Sequence, residues 1–245
     1  TYLAGCVGAT VLEYVTGVTM EALFKVRYWD YSNKKFNFQG HICLGSTLAW
    51  GCLTVLMTQF IHVHVERVVM AIPGQVLTVV TLVLTAGIFA DFALSFKAAI
   101  DLRNILIKMD QLKGEMVKIQ KRLDVIVAVT SESISNRKDE FTQSMSELKS
   151  SIEAKLDSIK TMVQTKPTEY LEGVKDELFD LKEKYLVSRE DHDRLAGVRD
   201  FFQRDMIRSN PGMTSTKFKE PLDELKEHAV RKKKERKTED EESCK

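Results

Sequence analysis

The first 97 residues alternate long apolar runs with short polar segments. The runs are Thr1 to Phe24, Ile42 to Val65 and Pro73 to Phe96. Each exceeds the roughly 20 residues a helix needs to cross the hydrocarbon of a bilayer. Helices are the element expected there, because they satisfy their own backbone polar groups where water is absent. The pattern predicts a membrane region over 1–97 with transmembrane helices at about 1–24, 42–65 and 73–96. The chain opens inside an apolar run, with no Met and no basic leader. We therefore expect an N-terminal part, with further spans, to precede it.

After Phe96 the period changes. Ile105, Met109, Leu112, Met116, Ile119, Leu123 and Ile126 alternate steps of four and three, the seam of a coiled coil. Thr130 to Glu140 places Ser, Asn and charges on that seam and is expected to be a hinge or a stretch of looser winding; the rhythm returns at Phe141, Met145, Leu148, Ile152, Ile159 and Met162. The segment 98–166 is predicted as a long heptad helix, ended by "TKPTE" at Thr165 to Glu169, since the residue before Pro disfavours the helical region. A second heptad segment over 167–209 carries Leu171, Val174, Leu178, Leu181 and Tyr185. It can fold back on the first as an antiparallel hairpin or zip with another subunit. "SNPGM" at Ser209 to Met213 is a turn. The remainder of 210–245 is expected to hold a short helix and a charged tail. The fold class expected is all-α: polytopic transmembrane helices followed by a cytoplasmic coiled-coil or helical-hairpin extension.

Charge sharpens the division. The whole chain is nearly neutral, with 36 Lys and Arg against 35 Asp and Glu, yet most of these lie beyond Ala98. The link after the first run holds Lys25, Arg27, Lys34 and Lys35, whereas the link between the second and third holds only Arg67. Basic residues favour the cytoplasmic side. The alternation places the 27–41 loop and the whole C-terminal half in the cytoplasm of a multi-pass cell-membrane protein. Tyr28, Trp29 and Tyr31 suit an interfacial belt, and the lysines suit anionic lipid. The basic stretch at Arg231 to Lys237 reads as a solvated tail, with no nucleic-acid partner expected.

Three blocks then identify a resemblance: "LEYVTG" at Leu12 to Gly17, "ALFKVRYWDYS" at Ala22 to Ser32, and "FNFQGHICL" at Phe36 to Leu44. In order and spacing they resemble bacterial membrane proteins of the ABC-transporter type IV, or CmpB-like, family. "SNPGMTSTKF" at Ser209 to Phe218 resembles a short block that follows the cytoplasmic helices of such proteins. The resemblance implies an integral membrane fold, spans upstream of Thr1, and a transport role. It marks Arg27, Trp29, Asp30, Tyr31, Asn37, Gly40 and His41 as a signature loop. His41 departs from the pattern, which has Arg there; a basic contact at that position is expected to be weaker or pH-sensitive.

The candidate chemistry is sparse. Glu13 lies near the middle of the first run, where a carboxylate costs about 2.5–3.5 kcal/mol to insert. At about 100° per residue, Glu13, Gly17 and Glu21 share one face. Glu21 and Asp91, nearer the ends of their runs, can pair with Lys25, Arg27 or Lys97. Each acid is read either as a packing contact or as part of a polar path. Gly45 and Ala49 form a small-residue step suited to helix contact. Cys6, Cys43, Cys52 and Cys244 have neither metal-ligand nor redox-pair spacing, so no metal or cofactor is expected. No phosphate-binding G-x-x-x-x-G-K-[ST] run is present, which excludes this stretch as the ATPase of a transporter. The leading expectation is a permease-like component, not an enzyme, working with the bilayer and a separate ATPase. The alternative is a membrane-anchored coiled-coil scaffold or signalling adaptor with a cytoplasmic protein partner. Homo-oligomerisation through the heptads fits either.

Overall fold

A computed structural model describes residues 1–130, 144–165, 171–197 and 201–229. Helix dominates. The first helix, α1 (Tyr2–Phe24), stops at Lys25, whose left-handed backbone (φ 60°) turns its N–H back to the Glu21 carbonyl at 2.9 Å. This is the αL termination usually given to Gly or Asn. A two-residue strand β1 (Asn37–Phe38) then pairs antiparallel with β2 (Ile42–Cys43), through a turn in which Gln39 and Gly40 both have positive φ.

The helix α2 (Leu44–Leu56) is N-capped by Cys43. Its thiol accepts from the Ser46 N–H, while the Ser46 hydroxyl accepts from the Cys43 N–H, a capping box built with sulfur. A π-helical segment, Met57–Ile61, joins α2 to α3 (His62–Met70), so the second apolar run is one uninterrupted helical path. After a turn, α4 (Gly74–Thr130) continues for 57 residues, about 85 Å at helical rise.

Among the described residues, three helical stretches are long and apolar enough to cross a membrane: Tyr2–Phe24, Leu44–Met70 and Gly74–Val127. Their large side chains face outward, among them Leu12, Val15, Leu56, Phe60, Leu82 and Phe89. Solvated helices bury such residues; these display them. The small-residue contact between α1 and α2 is made by glycines other than the expected one. Tyr2 and Cys6 pack on Gly51, Thr54 packs on Gly5, and the Thr10 hydroxyl donates to Thr47 at 3.0 Å. Residue numbers rise on one helix as they fall on the other, so the pair is antiparallel. Gly45 and Ala49 lie on the exposed face of α2. At the far end of α1, Phe24 meets Phe96 of α4 edge-on at 5.4 Å.

Among the described residues of 98–166, two helices lie side by side: the second half of α4, and α5 (Met145–Thr165). Gln120 bonds Ser151 and Asp124 pairs with Lys155, a constant offset that makes α5 parallel to α4. The helix α6 (Leu171–Ala196) runs antiparallel to both, as Arg122–Glu177 and Glu115–Ser188 show against α4, and Glu153–Arg189 and Lys149–Asp193 against α5. The heptad residues Met116, Ile119, Leu123, Ile126, Met145, Leu148, Ile152, Ile159, Leu181 and Tyr185 form the core between them. The expected hinge beyond Thr130, the "TKPTE" breaker after Thr165 and the charged tail lie outside the described residues.

A second core forms nearer the apolar helices. Leu102, Leu106 and Met109 of α4 meet Ile207 of α7 (Phe201–Ser209), Met213 and Phe218 of the following turn, and Leu222 and Leu225 of a last helix, α8, over 219–229. Val26, from the loop after α1, is buried in this same core.

Candidate functional site

The segment 25–43 folds back along the last three turns of α1. Its first anchor is Glu13. The Tyr31 hydroxyl donates to one carboxylate oxygen at 3.2 Å, and the Trp50 indole N–H donates to the other at 3.0 Å. The carboxylate thus collects one donor from the loop and one from α2. Hydrogen bonds to a charged group contribute about 1.5–3 kcal/mol each. Two of them match the expense of placing a carboxylate on an apolar helix. Burial raises the Tyr31 phenol above its ordinary range, and the neighbouring Glu13 charge adds to the shift, so the hydroxyl remains a donor.

Two turns further on, Glu21 pairs through a single oxygen with both Arg27 Nε at 2.8 Å and His41 Nε2 at 3.2 Å. His41 is 4% exposed. Its carbonyl accepts from the Trp29 indole at 3.0 Å, and its ring lies edge-on to Tyr14. A Cβ on Gly17 would stand 2.9 Å from His41 Nδ1 and 3.4 Å from the Trp29 ring. The face shared by Glu13, Gly17 and Glu21 is therefore the seat of the loop.

Asp30 ties the loop to the extension. Its carboxylate accepts from the Ser32 hydroxyl and N–H, from the Thr214 hydroxyl at 3.1 Å, and lies 3.9 Å from Arg27. The Ser32 hydroxyl is the main cause that holds this carboxyl below its ordinary range; burial opposes it, and the Ser32 N–H, Thr214 and Arg27 reinforce it. Arg27 and Thr214 exchange backbone hydrogen bonds at 2.7 and 2.9 Å, and the Ser215 hydroxyl donates to the Lys25 carbonyl at 2.6 Å. The "SNPGMTSTKF" block thus lies directly on the signature loop. Asn37 closes the loop from within, donating to the Ser32 and Lys34 carbonyls and accepting from Gly40 N–H. Gly40 has φ 75°, and a Cβ there would collide with Ser32 and Arg27.

The predicted site residues divide cleanly. Glu13, Glu21, Arg27, Trp29, Asp30, Tyr31, Asn37, Gly40 and His41 all converge on this one assembly. Asp91 stands apart, exposed on α4 and with no ion pair among the described residues. The aromatics expected as an interfacial belt are half-buried contacts: Tyr28 packs on the second core and reaches Met206, Trp29 holds His41, and Tyr31 holds Glu13. Sequence reasoning missed Trp50 and Thr214. A Trp in an apolar run signals an N–H in need of an acceptor, and Glu13 supplies it. Thr214 lies in the "SNPGMTSTKF" block that the resemblance marks, but nothing local pairs it with Asp30, 184 residues away along the chain.

The family model described as "Putative ABC-transporter type IV" matches residues 1–96, which take in the three apolar runs and the signature loop. No curated protein and no solved structure matches the chain.

Proposed function

From the premise of that match, we propose that the chain is a permease-like transport component of the cell membrane, crossing it several times and working with a separate ATPase. Its C-terminal half lies in the cytoplasm, on the side of Lys25, Arg27, Lys34 and Lys35. Glu13 carries the reading. It is an acid on an apolar helix, held by neutral donors from two other segments rather than by a cation, so its charge is available to a passing polar or cationic group. The chain itself performs no catalysis; it positions a carboxylate, and the partner does the ATP-driven work.

The test is capture of the detergent-extracted complex, followed by assay of its ATP hydrolysis. The complex is expected to hydrolyse ATP, and Glu13→Gln is expected to lower that rate about tenfold or more with insertion unchanged, the size typical of a charge used in a transition or transport step. A captured complex with no ATP hydrolysis, or one indifferent to Glu13→Gln, refutes the reading.

A second reading is favoured by α4, which passes without a break from the apolar region into the extension. This construction suits a scaffold that displays helices to a cytoplasmic protein. In that reading, deleting 98–245 removes the partner, and no ATP hydrolysis accompanies the intact chain. The heptad seams of α4, α5 and α6 are occupied by one another, so a homo-oligomer would use other surfaces, such as the exposed Phe179, Leu186 and Val187.

A further inference from the structure

Beside the Glu21–Arg27–His41 contact lies an open cleft of about 590 Å³, lined by Val18, Glu21, Ala22, Lys25, Arg27, Gln39, His41, Thr216 and Lys217. Its walls come from α1, from the signature loop and from the block before α8. Three cations face a single carboxylate, and that carboxylate is engaged by Arg27 and His41. Lys25 has no ion pair among the described residues. Among the described residues, Lys217 makes a cation–π contact, 5.1 Å over the Phe218 ring, and no ion pair. Gln39 accepts the Tyr14 hydroxyl on its carbonyl oxygen, which leaves its NH₂ to donate. Thr216 adds a hydroxyl. The polar groups left over are thus donors and cations, the set that receives phosphate oxygens.

The other wall favours a lipid as the carrier of the phosphate. Val18 and Ala22 belong to the outward apolar face of α1, continuous with the exposed Leu23. A ligand seated here has its charge against Lys25 and Lys217 and its remainder along an apolar helix.

We propose that this cleft binds the phosphate headgroup of an anionic phospholipid, with an acyl chain lying along Val18 and Ala22. The inference rests on α1 lying in a membrane, and this is checked separately by whether the chain needs detergent for extraction. Lipid binding would make the seating of residues 213–218 on the loop depend on the membrane's composition, because Lys217 comes from that block and Lys25 from the end of α1.

The test is native mass spectrometry of the detergent-purified full chain with phosphatidylglycerol, with phosphatidylcholine, and with inorganic phosphate. Phosphatidylglycerol is expected to bind at one saturable site, at least tenfold more tightly than phosphatidylcholine. Lys217→Gln and Lys25→Gln are each expected to weaken it about fivefold, the effect of removing one lysine near an anionic surface. Lys35→Gln, which removes the same charge at the loop tip, is expected to leave it unchanged. Equal losses in all three variants would mean a diffuse surface charge and overturn the site. Saturation by inorganic phosphate that displaces the lipid would assign the cleft to a free anion and overturn the lipid. No loss in either Lys217→Gln or Lys25→Gln would overturn the proposal outright.

Discussion

At the scale of single residues, the signature loop is a set of donors aimed at three carboxylates. Asp30 gives the clearest pH dependence. Its folded-state pKa is depressed, chiefly by the Ser32 hydroxyl, so the stability it contributes is present above the unfolded value and is lost as pH falls through the folded one. The difference in thermal midpoint between the native chain and Asp30→Asn in detergent should hold constant above about pH 5 and shrink below about pH 4. A difference that persists to pH 3 would assign it to shape rather than charge. Gly17 offers a purely steric case. Gly17→Ala puts a methyl group 2.9 Å from His41 Nδ1, with the buried ring held by Glu21 and the His41 backbone by Trp29, and should destabilise by about 1–3 kcal/mol in a thermal scan. That the acids of the apolar face would meet the loop was legible in the sequence: an acid on an apolar face has to be resolved somehow, and the rare aromatic and polar residues of the loop were the ones available. Which partner each would take was not legible. The pairing of Glu13 with Trp50 depends on how α2 is rotated, and the glycines that set that rotation are Gly5 and Gly51 rather than the Gly45 that local spacing suggested.

At the scale of elements, apolar period was a sound guide to what is helical and a poor one to what lies beside what. Met109, Met116, Ile119, Leu123 and Ile126 of the first heptad and Met145, Leu148, Ile152 and Ile159 of the second are buried, whereas Ile105 and Leu112 are half-buried and Leu102 and Leu106 fill the core at that end. Yet a heptad on one helix says nothing about whether the next runs parallel or antiparallel, since the seam is equally apolar from either direction. Specific polar pairs carry that information. Between α5 and α6, Glu153 accepts from the Tyr185 hydroxyl at 3.0 Å and pairs with Arg189. Burial first, and the Glu153 carboxylate second, push the Tyr185 phenol up to about 12, so it is a neutral donor throughout the working range. Tyr185→Phe keeps the buried ring and removes only that donor. It should cost about 1 kcal/mol in chemical denaturation of the extension, with helix content unchanged. A loss several times larger would mean that the hydroxyl organises the core instead of merely joining its rim.

At the scale of the whole molecule, the link between the apolar helices and the extension is double. One connection is covalent, through α4, which carries the third apolar run straight into the extension. The other is the contact between the loop and 213–218. Val26 and Met213 share a core, Arg27 and Thr214 exchange backbone hydrogen bonds, and Asp30 holds the Thr214 hydroxyl. A rigid helix on one side and a seated loop on the other fix how α1 and the extension sit relative to each other. Two variants at one position separate backbone from side chain. Thr214→Ala keeps the N–H and loses only the bond to Asp30. Thr214→Pro also loses the N–H that donates to the Arg27 carbonyl, and it stiffens the chain at the bridge. With two hydrogen bonds at about 1 kcal/mol each, tryptic cleavage after Arg27 should become roughly tenfold faster or more in Thr214→Pro, and only a few-fold faster in Thr214→Ala. Equal rates in both variants would place the hold in the Asp30 side chain alone. An unchanged rate in both would mean that Val26, buried in the extension's core, is sufficient to keep the loop in place, and that the bridge follows from that burial rather than causing it.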